Sequence, residues 1–157
     1  MKTIILKWYG AYECEEVLEE GNWGNNIYLV TGEKPYERVS KIQYCGITER
    51  SFKDRFREHH KAHQVTREQK FWLSEIEYPK KYDRELLETA EKIIIYAWEH
   101  QLNERKKVTS PESTTIINYW FKKDCSPRFN QNAICRDFSD VSSWDGEYWR
   151  TENLKVE

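Results

Sequence analysis

The sequence has few cysteines, and none of them is spaced for metal binding. Cys14, Cys45, Cys125 and Cys135 form no C-x2-C pair, so neither a zinc ribbon nor a disulfide framework is indicated. The chain also lacks an apolar run of the roughly 18 residues that a membrane span requires. Because residues 1–6 are too short for the apolar region of a signal peptide, we expect a soluble cytoplasmic protein with free thiols.

Glycine and proline are scarce as well. Six Gly and four Pro among 157 residues leave no Gly- or Pro-rich linker, and the chain has no tandem repeat or low-complexity tract. Seven Trp, ten Tyr and six Phe, in a chain that is 38% apolar, can form a buried core, which excludes disorder throughout. We therefore expect a single domain over residues 1–157.

An excess of positive charge is missing too. The net charge of -2 excludes a strongly basic nucleic-acid binder of the histone kind. The charges are nevertheless segregated, since residues 13–20 hold five Glu and no base, whereas residues 50–70 hold seven bases against three acids. Residues 104–128 hold six bases against three acids, and residues 137–157 hold six acids against two bases. Such a dipolar chain predicts locally guided, salt-sensitive binding of phosphates with weak non-specific affinity.

A hairpin followed by helices is the clearest structural pattern. Residues 26–31 and 39–47 are predicted as two antiparallel strands joined by a loop that contains Gly and Pro. Ser51 opens a helix to about His63, residues 71–78 form a third strand, and Asp83 caps a long helix to about Leu102.

The two ends of the chain are less regular. Residues 3–8 form a short β-branched and aromatic run, and residues 114–121 fit either a strand or a helix. Residues 125–132 are expected to be a loop. Asp145 and Gly146 lie between aromatic-rich flanks, which is the pattern of a type I′ hairpin.

One acidic residue interrupts the apolar face of the long helix. At about 100° per residue, Glu91 lies in the middle of a stripe formed by Leu87, Ile94, Ile95, Trp98 and Leu102. Burying a lone carboxylate costs several kcal/mol unless it is protonated, paired or bound to a metal. Glu91 is therefore either a residue at the core edge that pairs with an Arg or extends to solvent, or a metal ligand or acid/base group.

The preceding helix carries a cation and an imidazole on one face. Arg55 and His59 are four residues apart, flanked by Phe52, Phe56 and Ala62, which are suited to packing on the sheet. Each could be an ordinary solvated residue at a helix edge, or the two could form part of a site at a packed boundary.

Taken in order, these residues resemble the GIY-YIG nucleases. The first triplet is present as Asn26-Ile27-Tyr28 and the second as Tyr44-Cys45-Gly46, each with its tyrosine on a predicted hairpin strand. The later elements of the family pattern follow in order as Thr48, Arg55 and His59 at the R-x3-H spacing, Glu91, and Asn103.

The resemblance covers residues 26–103, about half of the chain, and departs from the family in places. Gly46 and Arg55 are nine residues apart where eight is commoner, which leaves Arg57 as an alternative equivalent. Residues 1–24 and 105–157 are not covered.

The resemblance implies an α+β fold and a nuclease activity. The fold would be a small three-stranded antiparallel sheet flanked by helices over residues 25–104, with a C-terminal extension of unknown role over residues 105–157. The activity would be that of a metal-dependent endonuclease hydrolysing DNA phosphodiester bonds with one Mg2+ or Mn2+. DNA would be the partner, and no membrane would be involved. The protein would resemble the stand-alone, restriction-like or phage-type members of the family, and it could act as a homodimer.

The resemblance also implies a role for each site residue. Tyr28 would be the general base that takes a proton from water, and Tyr44 would hydrogen-bond beside the nucleophile. Arg55 would contact the phosphate and lower the pKa of Tyr28. His59 would hydrogen-bond the phosphate or shuttle a proton, and Glu91 would hold the metal ion through a single carboxylate.

Other residues are expected to support the site. Asn103 would brace it through hydrogen bonds rather than react. A basic surface that tracks the DNA phosphates could be formed by Lys53, Arg57, Lys61, Arg67, Lys106, Lys107, Lys122 and Lys123. Trp120 and Phe121 would either pack in the core or stack on bases.

Two alternative functions remain open from the sequence. The acidic segments and the unmatched C-terminal third fit a catalytically inactive nucleic-acid-binding or protein-interaction module with the same fold. A ribonuclease would use the same residues on an RNA phosphodiester.

Overall fold

The chain folds into one seven-stranded sheet with three short helices. A computed structural model describes residues 1–57, 64–98, 112–127 and 139–152. The elements are, in chain order, β1 (Lys2–Tyr12), α1 (Cys14–Glu20), β2 (Gly24–Glu33), β3 (Lys41–Ser51), α2 (Phe52–Arg57), β4 (Arg67–Tyr78), α3 (Arg84–Trp98), β5 (Thr114–Phe121), β6 (Val141–Trp144) and β7 (Trp149–Glu152). The strand order is β3-β2-β4-β1-β5-β6-β7, with β1 and β5 parallel and the other neighbours antiparallel.

The expectation of a small three-stranded sheet is wrong. The strands β2, β3 and β4 are antiparallel neighbours at one end, but β1 pairs with the other side of β4 and the sheet continues through β5, β6 and β7. Ile4, Leu6 and Trp8 alternate with less buried residues and have no exposed surface, so the run predicted as short is a strand inside the sheet. The described part of residues 105–157 therefore belongs to the same sheet as the predicted core.

Helices cover both faces of the sheet. The face covered by α3, here called the α3 face, buries Ile27 and Leu29 of β2. The face covered by α1 and α2, here called the α2 face, buries Tyr28 and Val30 of the same strand. Neighbouring residues of β2 thus point to opposite faces, as the pleat of a strand requires. This alternation decides which side of the sheet each candidate site residue occupies.

Three tryptophans form the centre of the core on the α3 face. The rings of Trp8 and Trp120 stack with centroids 5.4 Å apart, and Trp72 meets Trp120 edge-on at 5.5 Å. The indole of Trp8 donates a hydrogen bond to Asn118 Oδ1 at 2.8 Å, and that of Trp72 donates to Thr31 Oγ1 at 3.0 Å. Trp120 is only 3% exposed, so it packs in the core and presents no ring face to nucleic-acid bases.

Two predicted helix starts are confirmed by their hydrogen bonds. The Asp54 N–H donates to Ser51 Oγ at 3.2 Å at the start of α2, and the Leu86 N–H donates to Asp83 Oδ1 at 3.0 Å at the start of α3. The predicted ends of both helices, near His63 and Leu102, lie outside the described residues. No helix in the described ranges is both long and apolar enough to cross a membrane.

The C-terminal hairpin is present, but its turn is longer than predicted. Trp144 pairs with Trp149, so residues 145–148 form the loop instead of a two-residue Asp-Gly turn. The side chain of Asp145 accepts hydrogen bonds from the backbone N–H groups of Glu147 and Tyr148, both at 2.8 Å, and these bonds stabilise the wider loop. Of the predicted loop over residues 125–132, residues 128–132 lie outside the described part of the chain.

Candidate functional site

Two tyrosines and a glycine meet where β2 pairs with β3. Tyr28 lies opposite Gly46 in this antiparallel pair, and the ring centroids of Tyr28 and Tyr44 are 6.0 Å apart. A Cβ atom at position 46 would lie 2.6 Å from Tyr28 Oη and 2.7 Å from Tyr44 Cε1. Glycine is therefore needed at position 46, because any side chain would collide with both phenol rings.

Tyr28 is the inner of the two tyrosines. It has no exposed surface, and the rings of Phe52 and Phe56 pack edge-on against it at 6.3 and 4.8 Å. Burial is the main reason why the pKa of Tyr28 lies well above its ordinary value, whereas the charge of Arg55 acts in the opposite direction. The nearby hydroxyl of Tyr44 also raises the pKa of Tyr28.

Tyr44 is half-buried and feels two opposite charges. Burial raises its pKa above the ordinary value, the guanidinium of Arg55 lowers it, and the carboxylate of Glu91 raises it. Arg55 and Glu91 therefore both lie close enough to Tyr44 to act on its ionisation. Of the predicted site residues, Tyr28 and Tyr44 are neighbours across β2 and β3, and Arg55 and Glu91 act on Tyr44 electrostatically.

The short helix α2 positions Arg55. It begins at Phe52, directly after β3, and its buried residues Phe52 and Phe56 hold it on the α2 face. Arg55 is half-buried and its charge acts on both tyrosines, whereas Arg57 is exposed. This placement favours Arg55 over Arg57 as the arginine of the site.

Glu91 lies on the other side of the sheet from the two tyrosines. It is 7% exposed, and Leu87, Ala90 and Ile94 around it on α3 have no exposed surface. The prediction that this carboxylate is buried on the apolar face is confirmed, and the option that it extends to solvent is wrong. The tyrosines belong to the α2 face, so the charge of Glu91 acts on Tyr44 from the opposite face of the sheet.

The donor set at the site suits one divalent cation. In residues 1–57, 64–98, 112–127 and 139–152, no group of three or more His, Cys, Asp or Glu side chains is placed to hold a metal ion. A single buried carboxylate fits Mg2+, which commonly binds one or two carboxylates and fills its remaining positions with water and phosphate oxygens. Glu91 has the chemistry of such a ligand.

Several predicted residues cannot be placed in this site. His59, Lys61, Asn103, Lys106 and Lys107 lie outside the described residues.

The described basic residues do not all line one surface. Lys53 is half-buried, whereas Arg57, Arg67, Lys122 and Lys123 are exposed. The ammonium of Lys123 lies 2.6 Å from Glu16 Oε2 on the acidic helix α1, and this hydrogen bond raises its pKa. Arg67 donates to the backbone carbonyl of Glu37. Lys123 therefore neutralises an acid of the protein itself, which weakens its assignment to a phosphate-binding surface.

Sequence reasoning missed two residues that shape the site. It treated Gly46 only as part of a motif, although the predicted hairpin could have shown that it lies opposite a tyrosine. It also missed that the Asn26 side chain connects neighbouring segments. Its Oδ1 accepts hydrogen bonds from the Ile76 N–H at 3.2 Å and from the Tyr82 hydroxyl at 3.4 Å. These bonds tie β2 to β4 and to the segment before α3.

Comparison of the chain with protein-family models, with curated proteins and with solved structures finds no match. The likeness to GIY-YIG nucleases therefore rests on the ordered residues of the sequence.

Proposed function

We propose that the protein is a metal-dependent endonuclease that hydrolyses DNA phosphodiester bonds at the site around Gly46. The observation that supports this proposal is the pair of Tyr28 and Tyr44 packed around Gly46, with the charges of Arg55 and Glu91 acting on Tyr44. A cytoplasmic location and action as a homodimer belong to the same proposal.

Hydrolysis of a phosphodiester requires an activated water, positive charge near the phosphoryl oxygens and stabilisation of the departing oxygen. Arg55 would contact the phosphate, because its planar guanidinium can donate to two phosphate oxygens at once. Glu91 would hold one Mg2+ or Mn2+. The bound ion would supply positive charge to the phosphoryl oxygens and to the departing 3′ oxygen.

The burial of the two tyrosines bears on which of them acts as the base. The family resemblance assigns this role to Tyr28, and that assignment stays a prediction. Water and substrate reach the half-buried Tyr44 more readily than Tyr28, which has no exposed surface. The charge of Arg55 favours the ionised form of Tyr44. We therefore assign proton abstraction to Tyr44 and a positioning role beside it to Tyr28.

Phenylalanine substitutions distinguish these roles. We expect Tyr44→Phe to lower the single-turnover rate of DNA cleavage by about 10²- to 10⁴-fold, because it removes the base. Tyr28→Phe keeps the ring that packs beside Tyr44 and removes only a neighbouring hydroxyl, so it should cost less, about 10- to 100-fold. The two rates are measured on the same supercoiled plasmid with Mg2+. A larger loss in Tyr28→Phe would contradict our assignment and favour Tyr28 as the base.

A matched pair of arginine variants tests the proposed function at the site. We expect Arg55→Lys to reduce cleavage by about 100-fold or more, because lysine keeps the charge but cannot form the bidentate contact. Arg57→Lys, two residues further along α2 and exposed, serves as the control and should cleave within about threefold of wild type. Equal rates for both variants and wild type would show that Arg55 has no part in the reaction.

One observation favours a second candidate function, an inactive module of the same fold. Burial raises the pKa of both tyrosines above the ordinary value, so the phenolate that a general base requires is harder to form than in a free tyrosine. Such a module would bind nucleic acid or protein without cutting either. Parallel assays on DNA and RNA separate this candidate from the nuclease, and they also distinguish a deoxyribonuclease from a ribonuclease.

A further inference from the structure

A pocket on the α2 face is lined by residues that the proposed nuclease site does not use. Its volume is about 390 Å³, and it is lined by Tyr9, Tyr12, Trp23, Glu75 and Cys125. This volume is within the range of roughly 300 to 1,000 Å³ that is typical of small-molecule sites. The lining residues come from four separate segments, so the tertiary fold creates the pocket.

Aromatic rings form the walls of the pocket. Tyr9 and Trp23 meet at 89° with their centroids 6.0 Å apart, and Tyr12 is 8% exposed. Both walls are supported from behind, since Phe121 stacks on Tyr9 at 5.5 Å and Phe52 packs edge-on against Trp23 at 4.8 Å. The rings are thus held in place, and their faces, which carry the negative part of the ring quadrupole, can surround a small ligand.

The charges around the pocket are mainly negative. Glu75 is exposed at the pocket and accepts a hydrogen bond from the Tyr9 hydroxyl at 3.3 Å. Burial and then the carboxylate of Glu75 raise the pKa of Tyr9 to about 12, and burial and then Glu20 raise that of Tyr12. Glu77 and Glu16 act in the same direction on Tyr9 and Tyr12.

Two nearby bases are already engaged by acids. The ammonium of Lys7 lies 3.1 Å from Glu77 Oε2, and that of Lys123 lies 2.6 Å from Glu16 Oε2. Glu75 therefore remains the carboxylate at the pocket that can pair with a ligand. A phosphate-bearing ligand would meet negative charge here, whereas a cation would meet a carboxylate and the faces of aromatic rings.

We propose that this pocket binds an alkylated ammonium group, with the cation between Tyr9, Tyr12 and Trp23 and its charge paired with Glu75. Cation–π contacts favour such groups because the positive charge is spread over methyl groups that lose little hydration on contact with the rings. The proposal is independent of DNA cleavage and of the site at Gly46. Two sources share this chemistry, a free quaternary amine and a trimethylated lysine side chain.

Isothermal titration of the full chain with choline and with 3,3-dimethyl-1-butanol tests the proposal. The two probes have the same shape, but only choline carries a charge. We expect saturable binding of choline and at least tenfold weaker binding of the neutral alcohol, since the alcohol lacks both the cation–π contact and the pairing with Glu75. Equal binding of the two probes, or no binding of choline, would overturn the proposal.

Substitutions of the lining residues test whether choline binds in this pocket. Glu75→Gln keeps the size of an exposed side chain and its ability to accept from Tyr9, and should weaken choline binding several-fold. Trp23→Leu should weaken it at least tenfold, and Tyr148→Leu, at a tyrosine that is 66% exposed in the C-terminal hairpin, should leave it unchanged. Choline binding that survives both Glu75→Gln and Trp23→Leu would place it elsewhere and refute the proposal.

Titration with peptides identifies the source of the cation. Tighter binding of a trimethyllysine peptide than of both the unmethylated peptide and choline would support a protein side chain as the ligand. Binding of choline that equals or exceeds that of the methylated peptide would support a free small molecule.

Discussion

Replacing Glu91 by Gln is expected to reduce Mg2+-dependent DNA cleavage by about a thousandfold or more. Glutamine has nearly the same volume, so the packing of α3 against the sheet is kept, but its neutral amide cannot replace a carboxylate as a ligand for Mg2+. Loss of the cation removes several kcal/mol of transition-state stabilisation, which corresponds to about three powers of ten in rate. The measurement is single-turnover cleavage of supercoiled plasmid, with circular dichroism to check the fold.

Glu88→Gln is the matched control for this prediction. Glu88 is on the same helix, one turn before Glu91, but its side chain is 49% exposed and pairs with Arg84 at 3.2 Å. The control variant should cleave at the wild-type rate. Cleavage by Glu91→Gln at the rate of Glu88→Gln would exclude Glu91 as the metal ligand.

Gly46→Ala is expected to impair both stability and cleavage. The added methyl group would lie 2.6 Å from Tyr28 Oη and 2.7 Å from Tyr44 Cε1, so both rings must move. Overpacking of this kind typically lowers the free energy of unfolding by about 1 to 3 kcal/mol. Cleavage should fall by about 100-fold or more, because both phenol rings must leave their present positions. Urea denaturation and the plasmid assay measure the two effects separately.

Gly146→Ala is the control for this prediction. It should lower the free energy of unfolding by a similar amount, but it lies outside the site. Apart from its two chain neighbours, no heavy atom of the described residues lies within 4 Å of a Cβ built at position 146, but its φ of +103° strains any residue with a side chain. We expect a loss of about 1 to 2 kcal/mol in the free energy of unfolding, with the cleavage rate unchanged. If Gly46→Ala cleaves as fast as Gly146→Ala, the close approach at position 46 has no role in the activity.

Local sequence patterns predicted those strands and helix starts that depend on residues close together in the chain. The three strands now numbered β2, β3 and β4 and the capped start of α3 are present where alternation and capping residues indicated them. The burial of Glu91 followed from the 3.6-residue period of α3 alone. These features depend on residues that are close together in the chain, so a single sequence contains enough information to find them.

The extent of the sheet could not be predicted in the same way. β1 pairs in parallel with β5, so that Ile4 aligns with Ile116, more than a hundred residues away. Parallel strands have no connecting turn whose residues would reveal the pairing. The run at residues 114–121 was left open between strand and helix for this reason, although its buried residues alternate as they do in a strand.

The sequence indicates the residues of the tyrosine site but not those of the aromatic pocket. Tyr28, Tyr44, Arg55 and Glu91 were found because they occur in an order that resembles a known family. The pocket at Trp23 joins residues from β1, β4 and two loops, and no short motif connects them. The register of β1 on β4, which aligns Tyr9 with Leu73, brings Tyr9 within hydrogen-bond distance of Glu75.

The most direct test of the central claim is incubation of the wild-type protein with supercoiled plasmid in Mg2+ and, in parallel, in EDTA. The site at Gly46 predicts conversion of the plasmid to nicked and linear forms in Mg2+, with no conversion in EDTA. An intact plasmid in both Mg2+ and Mn2+, or cleavage that continues unchanged in EDTA, would contradict a metal-dependent nuclease.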